Sequence, residues 1–173
     1  AEFNLNLHSE SIKNVNAPDI LIAGCGTGQT SIGTACNFSN CKVTAADLSL
    51  PSLAYAKRKT TEHGINNIEF LQADILRLDK LKKKFDIIDS VGVLHHMDNP
   101  MDGWKVLTDL LKSGGLMRIG LYSELARQEI AKIRKEIILQ RVGTSVSEIR
   151  KFRQTLAESK DKDHQQLIKS SDF

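Results

Sequence analysis

Long apolar runs are missing from this sequence. No stretch approaches the length needed to cross a membrane, so a helical membrane span is not expected. The opening residues, AEFNLNLHSE, lack the basic flank and apolar stretch of a secretory signal, and the expected location is the cytoplasm. Cysteine is scarce and odd in number. Cys25, Cys36 and Cys41 show no CxxC spacing, which argues against a disulfide framework or a metal-ligand array and leaves reduced, mostly core thiols; no metal is expected. Aromatic residues make up 5% of the chain and the net charge is only +3, so there is little to stack on bases or to track a phosphate backbone, and nucleic acid is not an expected partner. Lys80, Lys82, Lys83 and Lys84 read as a solvated face.

What is present fits one domain with a real apolar core: 173 residues, 40% hydrophobic and 26% charged. From Asp19 onward, short β-branched runs alternate with helical stretches. The runs at 20–23, 42–45, 68–71, 85–91 and 116–122 read as five strands, mostly continuous apolar segments of the kind covered on both faces. Between them, residues 27–38 form an expected first helix. Ser49 caps a second that carries Pro51 near its start and ends at Gly64, and Asn99 with Pro100 opens another that runs to about Leu111 and ends at Gly114 and Gly115. The connection at 76–84 is short and charged. Alternating strands and helices predict an α/β fold with an open, mostly parallel sheet and helices on both faces.

After Ser123 the strand signals stop. Two helical patterns follow, one with Leu125, Ile130, Ile133 and Ile137 on one face and one with Val146, Ile149, Phe152 and Leu156, and Ser145 with Glu148 forms a capping box for the second. These stripes read as core or as a helical lid. The division expected is a sheet core over 1–123 and a helical extension over 124–173 within the same domain. Its polar end, 159–173, has no closing element, as in a piece of a longer chain.

The sharpest chemical signal is Ala23-Gly24-Cys25-Gly26-Thr27-Gly28-Gln29, placed directly between a strand and a helix. Glycines there let the backbone turn tightly and let a ligand approach it closely. Asp47 ends the next strand at close to the spacing of a ribose-binding carboxylate, which can accept hydrogen bonds from two hydroxyls. Asp74 follows the third strand and falls at the same carboxyl edge, where it can accept from an exocyclic adenine amine, with Leu48 and Ile75 offering apolar surface to either side of the ring. A nicotinamide site is the rival, but its GxGxxG spacing fails: Gly24, Gly26 and Gly28 are two apart and position 29 is Gln.

Over roughly residues 19–122 this set resembles the class I S-adenosylmethionine-dependent methyltransferases, which have a Rossmann-like fold. The resemblance implies that Gly24, Cys25, Gly26 and Gly28 line the methionine and ribose portion of the cofactor, that Asp47 holds the ribose and that Asp74 with Ile75 holds the adenine; Val91 joins the cofactor-binding set. The Leu94-His95-His96 ending after the fourth strand is typical of the family, and His95 and His96 are the candidate catalytic bases. Residues 111–123 resemble the family's glycine turn and fifth strand, and the run from Gly120 to Arg127 is similar to bacterial methyltransferase domains joined to tetratricopeptide repeats. The family's sheet ends in two further strands, for which no run after Ser123 is a candidate. The implied activity is methyl transfer from S-adenosylmethionine to a small-molecule or protein acceptor, leaving S-adenosylhomocysteine. The alternatives are a non-catalytic binding or docking module on the same fold and an NAD-dependent oxidoreductase.

Overall fold

Alternation along the first strand, β1 (Asp19–Ala23), sends Ile20 and Ile22 into one apolar cluster and Leu21 and Ala23 into another. Both faces of the strand are therefore buried, as its unbroken apolar sequence requires. A computed structural model of the chain describes residues 15–123 and 125–169, so the AEFNLNLHSE opening lies outside the described residues. The chain divides into two compact units, residues 1–121 and 122–173.

The first unit is a five-stranded sheet of order β3-β2-β1-β4-β5 in which every neighbouring pair is parallel. Its other strands are β2 (Lys42–Asp47), β3 (Ile68–Gln72), β4 (Phe85–Val91) and β5 (Leu111–Gly120). Helices α1 (Gln29–Asn37) and α2 (Leu50–Glu62) connect the first three strands, and their Ala35 and Leu53 are buried with Ile20, Ile22, Val43 and Ala45. On the other face, a 3-10 turn (Ile75–Leu81) and α3 (Pro100–Leu110) bury Leu78, Leu107 and Leu110 against Leu21, Phe85 and Ile88. Fully burying each such side chain stabilises by about 1.5–3 kcal/mol.

The expected caps are in place. Ser49 Oγ accepts from Ser52 N at 3.3 Å, and Asn99 Oδ1 accepts from Met101 N at 3.2 Å at the start of α3. The expected end of that helix is not: α3 stops at Leu110, and β5 starts at Leu111, five residues before the expected Leu116. Leu111 pairs with Phe85 and Leu116 with Ile87, so residues 112–115 are the extra length taken up by a register irregularity in the ladder with β4. Gly115 permits it, since a Cβ there would stand 2.8 Å from the carbonyl oxygen of Asp86. At the same edge Lys112 Nζ bridges Asp86 at 2.8 Å and Asp19 at 3.3 Å, while Asp19 N donates to Asp86 at 2.9 Å. This knot joins the beginnings of β1, β4 and β5.

The second unit contains α4 (Gln128–Leu139), α5 (Val146–Glu158) and α6 (Lys162–Ile168). The Ser145–Glu148 capping box forms as expected, with Glu148 N to Ser145 Oγ at 3.3 Å and Ser145 N to Glu148 Oε2 at 3.2 Å. Helix α6 is an element that the polar end, expected to carry no closing element, does contain. Asp161 caps it, accepting from Asp163 N and His164 N, and the helix packs on both α4 and α5. His164 Nε2 lies 3.0 Å from both carboxylate oxygens of Glu136, and its Nδ1 lies 2.8 Å from Ser159 Oγ.

Candidate functional site

All five strands run the same way, so the turns leaving β1, β2, β3 and β4 meet along one carboxyl edge, the edge at which open α/β sheets bind ligands. The first of these turns is Gly24–Gly28. Gly24 has a φ of +83°, and a Cβ on it would lie 2.2 Å from a Val93 methyl, so no larger residue fits. The N–H groups of Gly24 and Cys25 both donate to Ala46 O, at 2.8 and 3.0 Å, which ties the turn to the end of β2. Gly28 caps α1 in the left-handed region, close against Ala56 of α2.

Asp47, the last residue of β2, is clamped from both sides. Its Oδ2 accepts from Gly26 N at 2.7 Å and its Oδ1 from Ser49 N at 2.8 Å. The carboxylate is thereby oriented before any ligand arrives, and each oxygen keeps further acceptor capacity. Cys25 lies beside it, buried; desolvation, and after it the charge of Asp47, pushes its thiol up to about 11. At neutral pH it is a protonated packing residue and not a nucleophile.

Beyond β3, Asp74 caps the 75–81 turn through Leu76 N at 2.9 Å, and Ala73 N donates to Asp47 O at 3.0 Å, so the ends of β2 and β3 are fastened together. Beyond β4, Leu94 is fully buried and pins a short turn that carries the two histidines, whose Nε2 atoms are 3.1 Å apart.

These turns enclose a cavity of about 520 Å³, within the usual range for small-molecule sites. Of the residues predicted from sequence, Gly24, Asp47, Leu48, Asp74, Ile75 and His96 line it. Leu48 stands exposed at the cavity while Ile75 is buried beneath it. Cys25, Gly26, Gly28, Val91 and His95 are not part of the lining: Gly26 stands behind Asp47, Gly28 at the start of α1, Val91 at the exposed end of β4 and His95 against His96.

Sequence reasoning missed Leu76, Asp98, Asn99 and Asp102, which also line the cavity beside Ala73, Val93 and Met97. A signal was available for two of them. Asn99 was read as the cap of α3, and a helix that follows a parallel strand starts at the carboxyl edge, so its first turn, with Asp102, had to arrive there. The charged lining is wholly acidic among the described residues: Asp47, Asp74, Asp98 and Asp102, with no Lys or Arg. A second cavity, of about 450 Å³, opens around Pro18, Ile20, Phe38 and Leu116 and has no charged lining residue. It lies by the beginning of β1, away from the carboxyl edge.

A family model described as a methyltransferase domain matches residues 20–115. Among curated proteins, the chain is 37% identical over 123 residues to an uncharacterized protein of Synechococcus sp., covering 70% of this chain and 30% of that protein. It is 32% identical over 101 residues to a malonyl-acyl-carrier protein O-methyltransferase of Halalkalibacterium halodurans, covering 57% of this chain and 36% of that one. Among solved structures, PKMT2 from Rickettsia typhi, in complex with AdoHcy, has a TM-score of 0.70 at 24% identity over 82% of this chain and 28% of its own. The chain thus spans about a third of the length of these two curated relatives.

Proposed function

Because the chain belongs to the methyltransferase domain family, we propose that its carboxyl-edge cavity binds S-adenosylmethionine and that the whole protein transfers the methyl group to an acceptor, leaving S-adenosylhomocysteine. The observation that carries this is the clamped carboxylate of Asp47, fixed at the cavity by Gly26 N and Ser49 N. The fit to the cofactor has two parts. Asp47 and Asp74 are acceptor groups at one cavity, as ribose hydroxyls and an adenine amine require. The wholly acidic lining suits a ligand that carries positive charge at its sulfonium and ammonium, and opposes the pyrophosphate of a nicotinamide dinucleotide.

When bound, S-adenosylmethionine supplies a methyl group already activated by its positive sulfur. The protein's own contribution is then mainly positioning. Asp47 holds one end of the ligand, Asp74 with Ile75 holds the ring end, and Leu48 covers it. Proximity and orientation of this kind account for much of a transfer rate. That His96 is the one histidine of the pair to line the cavity supports it as the base that takes a proton from an oxygen or nitrogen acceptor. The free thiols Cys25, Cys36 and Cys41 support a reducing compartment, the cytoplasm.

Calorimetric titration with S-adenosylhomocysteine, with NAD as control, tests the proposal. Saturable binding of the first alone supports it; binding of NAD alone, or of neither, overturns it.

A further inference from the structure

Gly33 in α1 and Gly103 in α3 both stand inside helices, where glycine is the weakest helix former after proline. Gly33 has open space where a side chain would begin, with no atom within 4 Å of an added Cβ. Gly103 is buried and the same space is taken: an added Cβ would lie 2.6 Å from Met97 Sδ, 2.9 Å from Leu94 Cδ2 and 3.1 Å from Met97 Cε. Carbon contacts normally settle at about 3.5–4.0 Å. The turn that carries His95 and His96 therefore rests at both of its ends on the bare backbone of α3.

Leu94 and Met97 bracket the histidine pair, and backbone bonds close the turn between them, with His96 N donating to Val93 O at 3.0 Å and Met97 N to Leu94 O at 3.1 Å. Leu94 is fully buried in the core and has no free space into which to move, while Met97 lines the cavity together with His96. A displacement of either residue is passed through the closed turn to His96. We infer that Gly103 is a positioning residue: by lacking a side chain it seats Leu94 and Met97 against α3, and so sets where the His96 imidazole stands in the cavity. Its part in methyl transfer rests on the proposed reading of His96 as the base of this cavity. An error of about 1 Å in the placement of reacting groups can cost a reaction about a hundredfold.

The test records the histidine ring signals of the whole carbon-13-labelled chain by NMR, without ligand, in the parent, Gly103→Ala and Gly33→Ala; His96→Gln identifies the His96 signal by its loss. Gly103→Ala is expected to move the His96 signal by more than its linewidth. It leaves in place the signals of His63, at the end of α2, and of His164, in α6, which report that the variant is folded. Gly33→Ala is expected to move none of the three. In a Met97→Ala chain, whose shorter side chain frees the room beside α3, adding Gly103→Ala is expected to move the His96 signal less than it does in the parent. An unmoved His96 signal in Gly103→Ala, an equal movement in Gly33→Ala, or a shift undiminished in the Met97→Ala chain would overturn the inference. Titration of the parent with S-adenosylhomocysteine decides the cofactor reading separately, because the spectra are taken without it.

Discussion

In the proposed function Asp47 does two jobs with one carboxylate, since the oxygens that hold the Gly24–Gly28 turn to the start of α2 would also be the acceptors offered to the cofactor. Asp47→Ala is expected to cost about 1.5–3 kcal/mol of S-adenosylhomocysteine binding, the worth of a hydrogen bond to a charged group, or more than tenfold in Kd by calorimetry. Gly24 has the opposite character, being required for the space it leaves. Gly24→Ala forces a methyl into Val93 at a positive φ, a combination of overpacking and strain expected to cost about 1–3 kcal/mol. A thermal melt that matches the parent would contradict the close approach seen there. For the histidines, His96→Ala in the full protein with its acceptor is expected to lower turnover by about a hundredfold or more and to leave cofactor affinity unchanged; unaltered turnover removes His96 from the reaction.

At the scale of elements, the carboxyl edge was legible because its signals are local. A glycine turn, a strand-ending aspartate and a capping Asn99-Pro100 pair each act within a few residues of where they stand. The early start of β5 was not legible. Lys112, Ser113, Gly114 and Gly115 spell a turn, and they are carried within the strand only because Leu111 before them and Leu116 after them both pair with β4 across a register irregularity. Helix α6 was hidden for a similar reason: its sequence is polar, and it is held by neighbours distant in sequence, His164 on Glu136 and Lys132 on Asp163.

Two elements make measurable predictions. Ser145→Ala removes the cap of α5 and is expected to lower the stability of the helical unit by about 1 kcal/mol, read as a lower melting point followed by helical circular dichroism. Lys112→Ala unties the beginnings of β1, β4 and β5. Partial burial pushes the Asp19 carboxyl up, but the ammonium groups of Lys83 and Lys112 outweigh it and hold the group below the ordinary carboxylate range. A carboxyl lowered on folding adds stability above its unfolded pKa and loses it as pH falls through the folded value. The variant is therefore expected to be roughly 1–2 kcal/mol less stable at neutral pH, and the difference should shrink below about pH 4. A gap that does not change with pH would show that the loss is one of packing.

For the molecule as a whole, the open sheet and its parallel direction followed from the alternation of strands and helices, while the strand order did not, and the family resemblance rested on signals spread over all five strands. The lining contributed by Leu76 could not be read, because an apolar residue in a short turn looks like any other until the fold brings the turns together. Charge partition is also a property of the whole chain. A net +3 reads as nearly neutral until the fold assigns all of it to the helical unit.

The central claim, that Asp47 anchors S-adenosylmethionine at the carboxyl edge, is tested most directly by titrating the chain and its Asp47→Ala variant with S-adenosylhomocysteine under one set of conditions. Saturable binding by the parent, weakened more than about tenfold in the variant, is the predicted result. Equal affinity in the two, or no binding by the parent, would contradict it.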